Sequence, residues 1–99
     1  MNSRVLQIKQ AVASQWGITV KTMAKECRVE SIVFPRQVAM YLTNRIVGLN
    51  QTHIGAIFHR EHTTVSHAIK RVRNRMETDR TVEKRVRGIM KQLDARRVA

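Results

Sequence analysis

Residues 54–75 read IGAIFHREHTTVSHAIKRVRNR, and this stretch decides the fold. Ile54, Ile57 and Phe58 lie on one side of a short helix that should break at residues 59–61. A second helix follows at once, and its apolar residues share one narrow stripe: Val65, Ala68, Ile69, Val72 and Met76. Two helices joined by so short a break cross steeply, so the stretch predicts a helix-turn-helix.

The turn and the outer face of the second helix indicate what this pair does. Gly55 removes a side chain near the crossing, which lets the two helices approach closely. The face opposite the apolar stripe carries side chains that can hydrogen-bond a base edge or a phosphate, and none of them is acidic. They are Thr63, His67, Lys70 and Asn74, flanked by Ser66 and Arg71. The pattern favours a DNA-reading helix, although a solvated surface helix would also be polar here.

The sequence before this stretch predicts three helices. The first is capped by Ser3, ends at Gly17 and has a regular apolar side: Val5, Ile8, Val12 and Trp16. A short second helix is capped by Thr19 and turns four residues inward: Val20, Met23, Ala24 and Cys27. Residues 28–34 have no helical period and are predicted as a loop. Pro35 then starts a third helix that continues to Gly48 and buries Val38, Ala39, Leu42 and Ile46.

Two further caps complete the predicted fold. Asn50 caps the first helix of the helix-turn-helix, and Thr78 or Asp79 caps a last helix. That last helix buries Val82, Val86, Ile89, Met90 and Leu93. We therefore predict an all-α fold, a compact bundle of about six helices with a Trp-repressor-like helix-turn-helix. We expect a single domain over residues 1–99, with a core at 5–76 and a C-terminal helix at 79–95.

The charge of the chain points to a polyanionic partner. Lys and Arg number 19 against 7 Asp and Glu, which gives a formal net charge of +12 for 99 residues. Nucleic acid is the commonest partner of such a domain, because each neutralised phosphate releases condensed counterions and adds affinity. The sequence has no apolar run of about 18 residues and no signal peptide, so we expect a cytoplasmic, nucleoid-associated protein without a membrane partner.

Several other classes of site are disfavoured by the sequence. Cys27 is the only cysteine, so it can form neither an internal disulfide nor a Cys-based zinc site. The four histidines, at 53, 59, 62 and 67, lack a Cys or carboxylate that would complete a metal site. No nucleophile, base and orienting group occur together, so we do not expect an enzyme. We expect no cofactor, metal ion or small-molecule substrate, and no protein partner can be predicted from the sequence.

Three segments together resemble the C-terminal DNA-binding domain of the bacterial replication initiator DnaA. They are PRQVAMYL at 35–42, IGAIF at 54–58, and REHTTV at 60–65 followed by His67 and Ala68. The likeness extends from about Leu6 to Leu93. The His-Thr-Thr-Val core, in register with the Pro-Arg-Gln helix start, is far more specific than a bare helix-turn-helix pattern.

The resemblance implies a role for individual residues of this chain. Domains of this family bind a short asymmetric DNA box through the start of the recognition helix and a minor-groove arginine. Glu61, His62 and Thr63 match the base-reading positions, and Arg28 matches the minor-groove arginine. The matches to backbone-contacting positions are Arg36, Gln37, Thr64, His67 and Arg71, with Arg60 beside them and Lys70 on the same outer face.

The sequence departs from the family in three places. The turn between Phe58 and Arg60 holds only His59, where the initiators usually have two glycines, so His59 is expected to be strained and the recognition helix tilted differently. Residues 29–34 are much less basic than the corresponding loop, which predicts a weaker or differently specific minor-groove contact of Arg28. No phosphate-binding loop precedes the domain, so ATP-driven origin opening is not expected of this chain.

The sequence thus leads to one main hypothesis and two alternatives. The main hypothesis is sequence-specific binding of double-stranded DNA at a DnaA-box-like site, in replication initiation or its regulation. The start at Met1-Asn2-Ser3 favours a natural stand-alone protein, for instance of a prophage or mobile element, over an excised C-terminal piece. The alternatives are a non-specific protein that coats nucleic acid and an adaptor that uses the last helix to bind another protein.

Overall fold

Six α-helices form the fold in a computed structural model that describes residues 3–98, with side chains for residues 3–94. They are α1 (Ser3–Trp16), α2 (Val20–Met23), α3 (Glu30–Leu42), α4 (Gln51–Phe58), α5 (His62–Thr78) and α6 (Arg80–Val98). A π-helical turn, Thr43–Val47, continues α3, and no strand occurs among the described residues. The all-α bundle with six helices predicted from the sequence is confirmed. None of the described helices is long and apolar enough to cross a membrane.

The ends of the helices follow from local side-chain chemistry. Thr19 Oγ1 and Asn50 Oδ1 each accept a hydrogen bond from the amide three residues ahead, at 3.0 and 2.9 Å. Asp79 Oδ1 accepts from the amides two and three residues ahead, at 3.0 and 3.3 Å, so Asp79 rather than Thr78 caps α6. Gly17 and Gly48 take left-handed conformations at φ 67° and 81° after α1 and after the π-helical turn.

The largest difference from the sequence prediction is the start of α3. Residues 28–34 were expected to form a loop, but α3 begins at Glu30 and contains Pro35 in its interior. An interior proline removes one amide donor, and its ring crowds the carbonyl four residues back, which together cost about 3 kcal/mol. Tertiary contacts offset that loss: Phe34 is buried, packs edge to face on Trp16 at 6.1 Å between ring centroids, and lies under two guanidinium groups of α5. The loop is therefore restricted to the residues between α2 and α3.

Smaller differences concern three other positions. Ala24 was expected to point inward, but it follows α2 and is exposed. Ser3 is already helical rather than a residue preceding the helix. The third helix does continue to Gly48, but it widens into a π-helical turn where the buried Thr43 hydroxyl donates to the Ala39 carbonyl at 2.8 Å. A hydroxyl that bonds back to the helix carbonyl disturbs the regular ladder.

The core lies between four helices arranged as a ring. Both α3 and α6 pack against α1 and α5, so α6 lies across the core from α3, while α4 packs against α5. The predicted stripe of α5 is buried from Val65 to Val72, and that of α6 is buried at Val82, Val86, Ile89 and Leu93. The apolar side of α5 is therefore held in the core, and its opposite face is exposed.

Candidate nucleic-acid interface

The turn between α4 and α5 is fixed by a contact between two backbone segments. The Arg60 amide donates to the Gly55 carbonyl at 2.8 Å. Gly55 is buried, and a Cβ at this position would lie 2.4 Å from the Arg60 carbonyl oxygen. That distance is far below van der Waals contact, so only glycine fits. The expectation that Gly55 allows close approach is confirmed.

His59 makes this turn in a left-handed conformation, at φ 56° and ψ 48°. Among the described residues it is the only non-glycine with a positive φ. For an L-amino acid with a Cβ this conformation costs about 1–2 kcal/mol. The strain expected at His59 is therefore present, and the short turn is held in place by its neighbours. The half-buried Arg60 helps to hold the turn, because its Nη1 donates to the Phe58 and His59 carbonyls at 3.2 and 3.0 Å.

The start of α5 presents the three residues that the sequence assigns to base reading. Glu61, His62 and Thr63 are all exposed. Glu61 occupies the N-cap position with an extended backbone, and its side chain makes no capping hydrogen bond. Its carboxylate is therefore available to an external donor such as a base amino group. The positive end of the dipole of this 17-residue helix lies at the same place and favours an approaching phosphate.

The outer face of α5 continues this surface along the helix. A shallow depression of about 330 Å³ is lined by His67, Lys70, Arg71, Asn74, Arg75 and Thr78. Thr64, three residues before His67 on the same helix, is also exposed. The depression has no acidic lining residue, so its charge complements a phosphate backbone.

Three arginines expected to contact DNA come together beside the turn. Arg28, from the loop before α3, Arg36, from α3, and Arg60, from the turn, line one open depression of about 440 Å³ together with Glu26 and the half-buried free thiol of Cys27. Arg28 is exposed. The three residues lie on separate segments of the chain, and the fold brings them to one surface.

Arg36 differs from the other two because its side chain is mostly inside the protein. It is 7% exposed, and its Nε donates to the Met23 carbonyl at 2.8 Å while Nη2 donates to the Lys25 carbonyl. Burial, and then the nearby charge of Arg60, lowers the pKa of the Arg36 guanidinium. The contact of Arg36 with the phosphate backbone stays a prediction. In the free protein Arg36 ties the end of α2 to α3 and holds the loop that carries Arg28.

Arg71 and Gln37 are also engaged within the protein. Arg71 Nη1 donates to Gln37 Oε1 at 2.6 Å and to Glu30 Oε1 at 2.9 Å, and its Nη2 bonds the other Glu30 oxygen. The hydrogen bond from Arg71 lowers the pKa of the Glu30 carboxyl, and the same bond raises the pKa of Arg71. Glu30 is 62% exposed, so solvent screens this ion pair. A phosphate could displace Glu30 at small cost.

Sequence reasoning missed two residues of this surface. Glu30 was assigned to a loop, and its position in the first turn of α3 is what brings its carboxylate to Arg71. Arg75, not among the expected contacts, lies over the Phe34 ring at 4.8 Å and lines the depression on α5. The four-residue spacing of Arg71 and Arg75 is a signal that could have placed them on one face.

The placement of Arg36 leads to a stability prediction. Replacing Arg36 with Gln should lower the free energy of unfolding by about 1–3 kcal/mol, because the buried Met23 carbonyl loses its charged donor. Arg28→Gln removes the same charge from the same depression, but it should cost less than about 0.5 kcal/mol, since Arg28 is exposed. Urea unfolding followed by circular dichroism measures both. Equal stability losses would contradict the structural role of Arg36.

Residues 5–72 match a known family of DNA-binding domains. A family model described as the bacterial DnaA protein helix-turn-helix matches residues 5–72. The match spans α1 to α4, the turn at His59 and α5 as far as Val72. Domains of this family bind double-stranded DNA through the helix-turn-helix, and the domain itself is not catalytic. The end of α5 and all of α6 lie beyond the match.

Proposed function

Since the chain belongs to the family of bacterial DnaA helix-turn-helix domains, we propose that it recognises a specific short sequence in double-stranded DNA. The start of α5 enters the major groove, where Glu61, His62 and Thr63 contact base edges. The observation that carries the proposal is the exposure of all three side chains at the start of a helix whose direction is fixed by the Gly55–Arg60 contact. A helix held in this way presents the three side chains to each DNA molecule in the same arrangement.

The remaining residues hold the DNA in register. Arg28 reaches the adjacent minor groove. The phosphate backbone is bound by side chains that line the two depressions or border them: Gln37, Arg60, Thr64, His67, Lys70 and Arg71. Arg36 contributes the part of its guanidinium that is not bonded to carbonyls, and mainly positions the loop of Arg28. Phosphate contacts fix orientation, whereas the reading end supplies the sequence preference.

We further propose a DnaA-box-like target and a role in replication initiation or its regulation. The protein acts as a cytoplasmic, nucleoid-associated DNA-binding protein rather than as an enzyme. The match of the His-Thr-Thr-Val segment to the family supports the box, and the single-residue turn at His59 is where we expect the preferred sequence to differ from the initiator's.

Fluorescence anisotropy tests this function. A duplex containing the protein's preferred DnaA-box-like site should bind at least about 100-fold more tightly than a scrambled duplex at physiological salt. Equal affinities for the two duplexes would favour a non-specific coating protein. Absence of binding to either duplex would favour a protein-interaction adaptor.

A further inference from the structure

The exposed face of α6 carries an unusual row of positive charges. Arg80, Lys84, Arg87 and Lys91 are all exposed, and their spacing of four, three and four residues places them on one stripe of the helix. The buried residues of α6 run along the opposite side, roughly 160° away at 3.6 residues per turn. We call these four residues the α6 stripe. It lies wholly outside the part of the chain that matches the DnaA family.

The α6 stripe is unfavourable for the helix that carries it. Like charges three or four residues apart repel each other along a helix, and the stripe contains three such pairs. Arg80 is the first residue of α6, where the helix dipole favours an acid. Two acids of α6 offset the stripe in part: Glu83 forms an ion pair of 3.4 Å with Arg87, and the exposed Asp94 follows Lys91 by three residues. An arrangement that costs helix stability is explained if a polyanion neutralises it.

The stripe fits the phosphate backbone of a DNA duplex. From Arg80 to Lys91 the helix rises 11 steps, or about 16 Å at 1.5 Å per residue. Duplex DNA carries one charge per about 1.7 Å, so the same length offers roughly ten phosphates. A membrane surface fits less well, because an interfacial helix buries an apolar face in the lipid and the apolar face of α6 is already in the core.

The duplex on the α6 stripe is not the one read by α5. α6 lies across the core from α3, which carries Arg36 and Gln37 of the reading surface in its middle. The stripe is on the side of α6 opposite its buried residues and so faces away from that core. Arg80, at the start of the stripe, follows the far end of α5, about 25 Å from the reading end for a helix of 17 residues. We propose that the α6 stripe binds the phosphate backbone of a second DNA duplex, so that one protein molecule bridges two DNA segments.

A bead-capture experiment with the full chain tests this proposal. A duplex containing the preferred site is fixed on beads, and a fluorescent duplex without the site is offered in solution at about 50 mM salt, where backbone contacts are strong. The wild-type protein should retain the fluorescent duplex. The variant K84Q/R87Q/K91Q should retain at least about tenfold less, because it loses three phosphate contacts. Its melting temperature should not fall, since the repulsion along α6 is removed.

A matched variant separates the stripe from total charge. K21Q/K25Q/R45Q removes three exposed charges elsewhere and should keep the capture. The proposal is overturned if wild-type protein captures no second duplex, if the stripe variant captures as much as wild type, or if both variants lose capture equally. Binding of the stripe to phosphatidylglycerol vesicles without DNA capture would also overturn it.

The proposal rests on the proposed function, and the two can fail separately. Anisotropy with a short duplex reports the reading end alone, and there the stripe variant should lose no more affinity than the matched variant. Failure of the proposed function appears as no preference between site and scrambled duplex. If only the second-duplex proposal fails, the protein still prefers the site over the scrambled duplex but captures no second duplex.

Discussion

Gly55→Ala is expected to lower the free energy of unfolding by about 3 kcal/mol, within the range seen when a methyl group is forced into a packed site. The added Cβ would lie 2.4 Å from the Arg60 carbonyl oxygen, and the next nearest atoms, at 3.5 and 3.6 Å, are also backbone. A flexible side chain could move aside, but this backbone cannot without breaking the 2.8 Å hydrogen bond from the Arg60 amide to Gly55. Urea unfolding followed by circular dichroism measures the loss.

Gly88→Ala is the matched control for this prediction. Gly88 is also helical, but a Cβ there meets nothing within 4 Å. Because alanine is the better helix former, this variant should be more stable by up to about 1 kcal/mol. Opposite signs for the two substitutions would establish that the turn is closed by contact at Gly55. If Gly55→Ala were as stable as Gly88→Ala, the close packing of α4 on the turn would be wrong.

His62→Ala is expected to cost about 1–3 kcal/mol of binding free energy on the preferred duplex and little on random DNA. That range corresponds to roughly a fivefold to 150-fold loss of affinity. The side chain is exposed in the first turn of α5, so its removal leaves the core intact and removes a contact to a base edge. Anisotropy titrations on the two duplexes measure the difference, and unchanged thermal unfolding checks the fold.

His53→Ala controls for the loss of an exposed histidine outside the base-reading positions. His53 lies in the first turn of α4, and its amide, not its side chain, makes the capping bond to Asn50. This variant should bind both duplexes like the wild-type protein. If His62→Ala weakened the affinity for both duplexes by the same factor, His62 would contact the DNA backbone, and its assignment to base reading would be wrong.

Much of the fold follows from local chemistry that can be read in the sequence. The caps at Thr19 and Asn50, the left-handed glycines and the buried stripe of α5 each depend on residues close together in the chain. The turn also follows from sequence. His59 alone must change the chain direction between Phe58 and Arg60, and Gly55 leaves room for the Arg60 backbone. For such features the side chain and its partner are only a few positions apart.

The parts that sequence could not predict depend on distant contacts. The first turns of α3 are stabilised by Phe34 against Trp16 and by Glu30 against Arg71, 41 residues away in the chain. Helical periodicity in residues 28–34 is absent because these contacts, and not a regular apolar stripe, hold the segment. Arg36 turns inward because two carbonyls at the end of α2 need a donor, and only the folded arrangement brings them within reach.

Selection of bound duplexes from a random pool tests sequence-specific reading by the start of α5 most directly. The wild-type protein is expected to enrich one short asymmetric sequence, and His62→Ala to lose the preference at one or two adjacent positions while keeping the rest. Absence of any enriched sequence, or an enriched sequence that His62→Ala leaves unchanged, would contradict the account.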